Sequence, residues 1–244
     1  MIREKYLDIY PLPGEMAYFT FRNIRSTLYD IIIEELPPIT HPRSRVESFV
    51  VPGRSGSMNI SDEAYDSYTK TVKCLLMTDI HIDNVASWLT GDGKAVFSNE
   101  PNRIYDVHVK NARTLSRAFM TGHKRFQIQF ETQPYKSSAN PEEPLELTAP
   151  TTLTNPGTLR AHPILTIHGT GNMTVSISGR SFSLTGITDY IVVDSRMVTA
   201  YRTNTQLMNH HMAGEFPYLD PGENRITWTG NISKIVIQPN WRWL

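Results

Sequence analysis

A mainly β chain of two domains, carrying one or two helices, is what this sequence predicts, and three observations carry the prediction. The segment Phe126-Gln-Ile-Gln-Phe130 alternates apolar and polar residues without a break, which gives a pleated strand one apolar face. The C-terminal half is a series of short β-branched runs separated by Gly, Pro, Asn and Asp clusters, the pattern of a sandwich or barrel. Between the halves lies Ser137-Ser-Ala-Asn-Pro-Glu-Glu-Pro144, with Pro150 soon after. It is rich in Pro, Ser and Glu and lacks apolar periodicity, as linkers do.

The elements follow in order. Strands are expected at 17–21, 28–34, 45–51, 68–77 and 123–133. In the fourth, Thr71, Val72, Leu75 and Met77 suit a pleated, half-buried surface. One helix is expected over 80–90: Ile82, Val85, Ala86 and Leu89 fall on one stripe, and Trp88 extends it. Thr78 or Asp79 supplies a cap, and Gly91 a left-handed stop. In the second half, strands are expected at 163–169, 173–178, 181–184, 190–194, 198–201, 224–229 and 234–238. Gly169-Thr-Gly171-Asn172, Ser178-Gly179, Asp220-Pro-Gly222 and Thr229-Gly-Asn231 are read as the turns between them. The domains are therefore placed at 1–136 and 152–244, joined by a linker at 137–151.

Composition narrows the function. The 244 residues are 39% hydrophobic, enough for a buried core. Lys plus Arg equals Asp plus Glu, 24 each, so no basic excess points to nucleic acid, and no sequence-specific nucleic-acid binding is expected. Cys74 is the lone cysteine, which excludes an internal disulfide and a Cys-based zinc site. The N-terminus has no apolar run of signal-peptide type, and no stretch is long enough to span a membrane, so synthesis in a cytoplasm is expected.

A search for chemistry returns little. His210-His211 and His81-x-Asp83 are the only metal-like pairs; adjacent residues on a strand point to opposite faces, so one ion does not take both histidines. Cys74 sits inside an expected strand with no base beside it. Gly91-Asp-Gly93-Lys94 follows a helix rather than opening one, which a phosphate loop requires. Asp62-Glu63 and Asp220/Glu223 are loop carboxylates of the ordinary solubilising kind. No catalytic, cofactor or metal residues are assigned. Trp228, Trp241 and Trp243 are the candidate surface or sugar contacts; closing the core is the favoured alternative, since aromatics dominate core energetics.

The order of motifs carries a resemblance. It runs through Val51-Pro-Gly-Arg-Ser-Gly56, Val85-Ala-Ser-Trp-Leu89, Gly93-Lys-Ala-Val-Phe97, Tyr105-Asp-Val-His-Val109 and Phe130-Glu-Thr-Gln-Pro-Tyr135. It continues with Asn155-Pro-Gly157, Pro163-Ile-Leu-Thr-Ile167, Ile191-Val-Val-Asp194, Met197-Val-Thr-Ala-Tyr201, Gly214-Glu-Phe-Pro217, Leu219-Asp-Pro-Gly222-Glu-Asn224 and Pro239-Asn-Trp-Arg-Trp243. In this order the chain resembles the distal tail protein (Dit) family of bacteriophages with non-contractile tails. Residues 2–13 match no motif of that pattern.

The resemblance implies a structural protein of the virion tail tip, assembled in the host bacterial cytoplasm, with no enzymatic activity and no cofactor. It implies a ring, commonly a hexamer, formed by the N-terminal domain, with a galectin-like β-sandwich as the C-terminal domain. The implied partners are further copies of the chain, the tail tube protein, the tail-tip or tail-associated protein and, in some phages, receptor-binding proteins. The alternative is a carbohydrate-binding module that aids adsorption to the host.

Overall fold

The structure is a computed structural model, and it describes residues 16–110, 116–117, 123–139, 143–203 and 205–244. Residues 2–13, which match no motif, lie outside the described residues. The chain divides into two compact units, Met1–Ala139 and Asn140–Leu244. Both are mainly β, and α1 (Ile82–Trp88) is the one α-helix among the described residues.

The first unit holds β1 (Phe19–Phe21), β2 (Ile24–Arg25), β3 (Ile31–Glu35), β4 (Ser44–Val50), β5 (Ser57–Tyr65), β6 (Tyr68–Leu76), β7 (Gly91–Phe97), β8 (Arg103–Val109), β9 (Ser116–Arg117) and β10 (Lys124–Ser138). Its main sheet is ordered β2-β1-β7-β8-β10-β6-β3, with β9 also on β10. The alternation at 126–130 is the middle of the long strand β10. Phe126, Ile128 and Phe130 are buried, while Gln127 faces out.

α1 closes this core. It is shorter than expected, because Asp79–His81 forms a 3-10 turn instead. Val85, Trp88 and Leu89 are buried and Ala86 is exposed, so the inward stripe runs through Trp88 rather than Ala86. Trp88 stacks on Phe19 at 5.5 Å, and its indole N–H donates to Phe21 O at 2.9 Å. A buried indole needs that acceptor. Gly91 takes positive φ, +64°, but as the first residue of β7; the helix already stops at its cap Leu89, two residues earlier than expected.

The second unit holds β11 (Leu145–Leu147), β12 (Thr151–Asn155), β13 (Ile164–Ile177), β14 (Arg180–Ile187), β15 (Tyr190–Asp194), β16 (Thr199–Thr203), β17 (Gln206–Leu207), β18 (Met212–Ala213), β19 (Gly222–Gln238) and β20 (Arg242–Trp243). The stretch expected as a linker is not all loop: 137–138 end β10, and 145–147 form β11 on β19. Leu145 and Leu147 supply the apolar anchors there, packing on the core of this unit.

Two expected turns are absent. The pairs of strands expected at 163–169 and 173–178, and at 224–229 and 234–238, are the single long strands β13 and β19. These pair with each other along their length, with register shifts at His168/Gly169 and Thr170/Met173. The glycines there make β-bulges, which bend paired strands instead of ending them. The bend splits one sheet into two halves. In one, β11, β19, β13, β15, β16 and β17 follow in order through residues 164–168 and 234–238. In the other, β12, β19, β13, β14 and β18 follow through residues 173–177 and 226–230. Leu165, Ile167 and Ile235 from the first half share one core cluster with Val175, Phe182 and Ile226 from the second, which makes a sandwich.

The other turns appear as read. Ser178 and Gly179 both take positive φ, +50° and +85°, the type I′ geometry of a two-residue hairpin. At Asp220-Pro-Gly222, the buried Asn224 side chain accepts from Asp220 N at 2.9 Å and donates to Asp220 O and Gly222 O at 2.7 and 3.0 Å. Asn224→Ala is expected to cost about 2–3 kcal/mol, since it orphans buried backbone groups. A denaturant melt should move its midpoint accordingly, with an unchanged slope.

Candidate assembly surface

The feature that stands out in the first unit is the hairpin of β4 and β5. These strands pair with each other and with no other strand among the described residues. All seven residues of β4 are exposed. Gly53 at φ +81° and Gly56 at +87° turn the chain at the tip. Cross-strand partners share a face and alternate residues share a face. Phe49 opposes Met58, and Ile60 opposes Glu47, so Phe49, Met58 and Ile60 form one apolar face. They are 47%, 46% and 54% exposed. The other face carries Val46 and Val50 among Ser48, Asn59, Ser57 and Ser61. An isolated two-stranded hairpin is marginal in water, and an exposed apolar edge strand is a template for pairing.

The root of this arm is fixed to the body of its own unit. Pro37 O accepts from Asn99 Nδ2 at 2.8 Å, and Pro38 O accepts from Lys70 Nζ at 2.9 Å. On the other strand, Tyr65 meets Tyr135 edge-on at 6.2 Å. Asp66 N donates to Arg43 O at 2.9 Å, and Arg45 pairs with Asp66 at 3.2 Å.

Lys70 is almost wholly buried, at 2% exposed. Its ammonium lies 4.9 Å from the Tyr105 ring centre, 5.7 Å from Phe97 and 5.8 Å from Tyr68. Burial lowers its pKa to about 8; Glu100 raises it and Lys136 lowers it further. Glu100 accepts from the Tyr105 hydroxyl and from Lys136 Nζ. Burial pushes the Glu100 carboxyl up, but those two hydrogen bonds and the two lysine charges outweigh it and hold it below the usual range. Burial pushes Tyr68 up to about 12.

The sign of the resulting pH dependence follows. Between about pH 8 and the ordinary lysine value of 10.5, the unfolded chain binds more protons at Lys70 than the folded chain does. The contribution of Lys70 to stability therefore rises with pH across that window. Thermal melts of the wild type and Lys70→Met at pH 7.5 and 9.5 should show a rise in the wild type that the variant lacks.

The residues weighed for chemistry are dispersed. Among the described residues no group of three His, Cys, Asp or Glu is placed to hold a metal ion. His210 and His211 are not on a strand; they lie in the 3-10 turn Asn209–His211 with ring centres 4.1 Å apart. The opposite-faces reasoning therefore does not apply to them. His211 Nδ1 is 2.6 Å from Thr185 O. His81 Nε2 is 3.9 Å from Asp30 Oδ2, while Asp83 is exposed. Cys74 is fully buried, and burial raises its thiol pKa, with Glu34 adding to the rise. Asp220 is taken by Arg160 and Arg180, each at 2.9 Å. The side chains of residues 62 and 63 lie outside the described ones. No helix among the described residues is long and apolar enough to cross a membrane.

Of the three tryptophans, Trp228 (on β19) and Trp241 pack half-buried against the core of the second unit. Trp243 is half-buried on β20. None of the three lines the cleft between β14 and the loop at 215–218.

No family model matches the chain, and no curated protein matches it. A solved structure does. The Dit protein (gp 19.1) of SPP1, described as a paradigm of the hub adsorption apparatus in phages infecting Gram-positive bacteria, superposes with a TM-score of 0.78 at 16% identity. The match covers 94% of this chain and 100% of that one. This is the Dit fold. Two structures of the phage P2 baseplate in its activated conformation, with calcium and with strontium, match at TM-scores of 0.45 and 0.44, each at 9% identity. They cover 92% and 93% of this chain, and 99% of theirs. Because the likeness to SPP1 Dit spans both units, the Dit fold accounts for the whole β architecture expected from the motif order.

β5 and its pairing were missed in the sequence. Its residues are polar on both sides of Met58 and Ile60, so no one-sided alternation marks them. The signal present was the Gly53–Gly56 turn after an apolar strand, which requires a returning partner.

Proposed function

We propose that this chain is a structural distal tail protein. It closes into a ring, of six copies, at the end of a non-contractile phage tail tube. The ring is the hub that joins the tube to the tail-tip or tail-associated protein and, where present, to receptor-binding proteins. The observation that carries this reading is the arm: a rooted hairpin with Phe49, Met58 and Ile60 on one uncovered face. Within a chain of the Dit fold, such a face calls for a second copy. Repetition of one such heterologous contact with a closing rotation gives a ring.

Equal numbers of acidic and basic residues suit a lumen that lets DNA pass without gripping it. The chain has no chemistry of its own in this reading and works at the virion tail tip. The test is the mass of the full chain in solution by light scattering. Six times the chain mass of 27.8 kDa is expected at high protein concentration. A strict monomer there, together with absence of the chain from purified virions, would overturn the reading.

A further inference from the structure

The approach to the arm is the stretch 36–43, and it is stiff. It holds Pro37, Pro38 and Pro42, each with φ fixed by its ring. Pro37 and Pro42 are buried, while Ile39, Thr40 and His41 between them are exposed. Leu36 packs on the core of the first unit. Two side chains of the body hold this stretch. Asn99 Nδ2, from the connection between β7 and β8, donates to Pro37 O at 2.8 Å. Lys70 Nζ, from β6, donates to Pro38 O at 2.9 Å.

An ammonium has three donors and no acceptor. Among the described residues, that of Lys70 makes one hydrogen bond, to Pro38 O, and no ion pair. The rings of Tyr105, Phe97 and Tyr68 surround it. A charge taken out of water is costly unless it is paired. An apolar side chain of the same length would fill that space without the cost. What the ammonium does, and a methionine cannot, is hold a backbone carbonyl of the approach.

We propose that Lys70 and Asn99 form a latch that sets the angle of the arm, docking Pro37 and Pro38 so that Phe49, Met58 and Ile60 are presented to a second copy. The partner rests on the ring reading; the latch itself does not. With two successive proline carbonyls fixed, the approach has little freedom to turn, so the arm is preorganised and its ordering cost on association is lowered.

The latch has a pH sign. Facing Lys70 are Glu100 from the β7–β8 connection, Lys136 from β10, Tyr105 from β8 and Tyr68 from β6 itself. Glu100 is held low and both tyrosines are pushed high, so these three do not titrate between pH 7 and 9. Burial lowers the pKa of Lys70 to about 8 in the docked state, and lifting Pro38 lets water in and returns it toward 10.5. The docked state then binds fewer protons than the undocked one, so docking is favoured as pH rises, by up to about tenfold from pH 7 to 9.

Double electron–electron resonance on the full chain tests this, with spin labels at Ser55→Cys on the arm tip and Ser87→Cys on α1, both exposed positions. Cys74 is fully buried and takes no label. At dilutions where the chain is unassembled, the labelled chain with Lys70 and Asn99 intact should give one narrow distance distribution. Lys70→Met and Asn99→Ala should each broaden it at least twofold. Asn99 is exposed, so its truncation should leave the melting temperature unchanged. In Asn99→Ala the broad fraction should shrink as pH is raised from 7 to 9, and in Lys70→Met it should not respond. Distributions as narrow in both variants as with the latch intact overturn the proposal, as does a pH response that persists without Lys70. By light scattering, both variants should assemble at least tenfold more weakly than the wild type. Broadened arms that assemble as well as the wild type overturn the link to assembly. A wild type that shows the latch but never assembles sinks the ring reading alone.

Discussion

Replacing Phe49, Met58 and Ile60 together by serine is expected to turn a ring into a monomer. Burying each of these side chains at a subunit contact contributes about 1.5–3 kcal/mol. Losing three removes roughly 5 kcal/mol or more per interface, a several-thousandfold weakening of association. Light scattering should then report the chain mass of 27.8 kDa at concentrations where the wild type is assembled. At dilutions where the wild type is itself unassembled, the melting temperature should hardly move, because these residues belong to neither core cluster. Val50→Ser is the matched control: it lies on the opposite face of the arm and is 80% exposed. A ring that survives the triple substitution intact would remove the arm from the assembly.

Gly169→Ala is expected to unfold the sandwich at ordinary temperatures or bring it close to unfolding. An added Cβ would collide with Asn231 O and stand 2.6 Å from Met173 Sδ and 3.1 Å from Ile232 Cα. Two of these atoms are backbone of the paired strand, so relief requires moving β19 against β13. Overpacking of this kind costs about 3 kcal/mol. For a unit of this size that is a fall in melting temperature of roughly 15 °C. Gly171→Ala separates crowding from backbone strain. Gly171 also has positive φ, +83°, but nothing lies within 4 Å of its added Cβ, so it should cost only the left-handed penalty of about 1–2 kcal/mol. Equal losses at both positions would show that crowding is not what glycine serves at 169.

These two sites also mark where sequence reasoning held and where it misread. A glycine cluster between apolar runs signals either a turn or a bulge. Ser178-Gly179 and Asp220-Pro-Gly222 are turns, because positive φ there lets two strands reverse. Gly169 has no positive φ and serves close approach between backbones that continue on either side. Sequence spacing alone does not separate the two, since the bend appears only when β13 and β19 pair along their length.

The sequence by itself determined the mainly β class and the helix that follows β6 in the first unit. Those rest on local periodicity and composition, which neighbouring residues carry without help. The tertiary structure decided the long bent strands of the sandwich, the exposure of Phe49, Met58 and Ile60, and the burial of Lys70. Each of these depends on what a residue meets from distant parts of the chain. An apolar strand reads the same whether its face is covered or open, and only packing distinguishes the two.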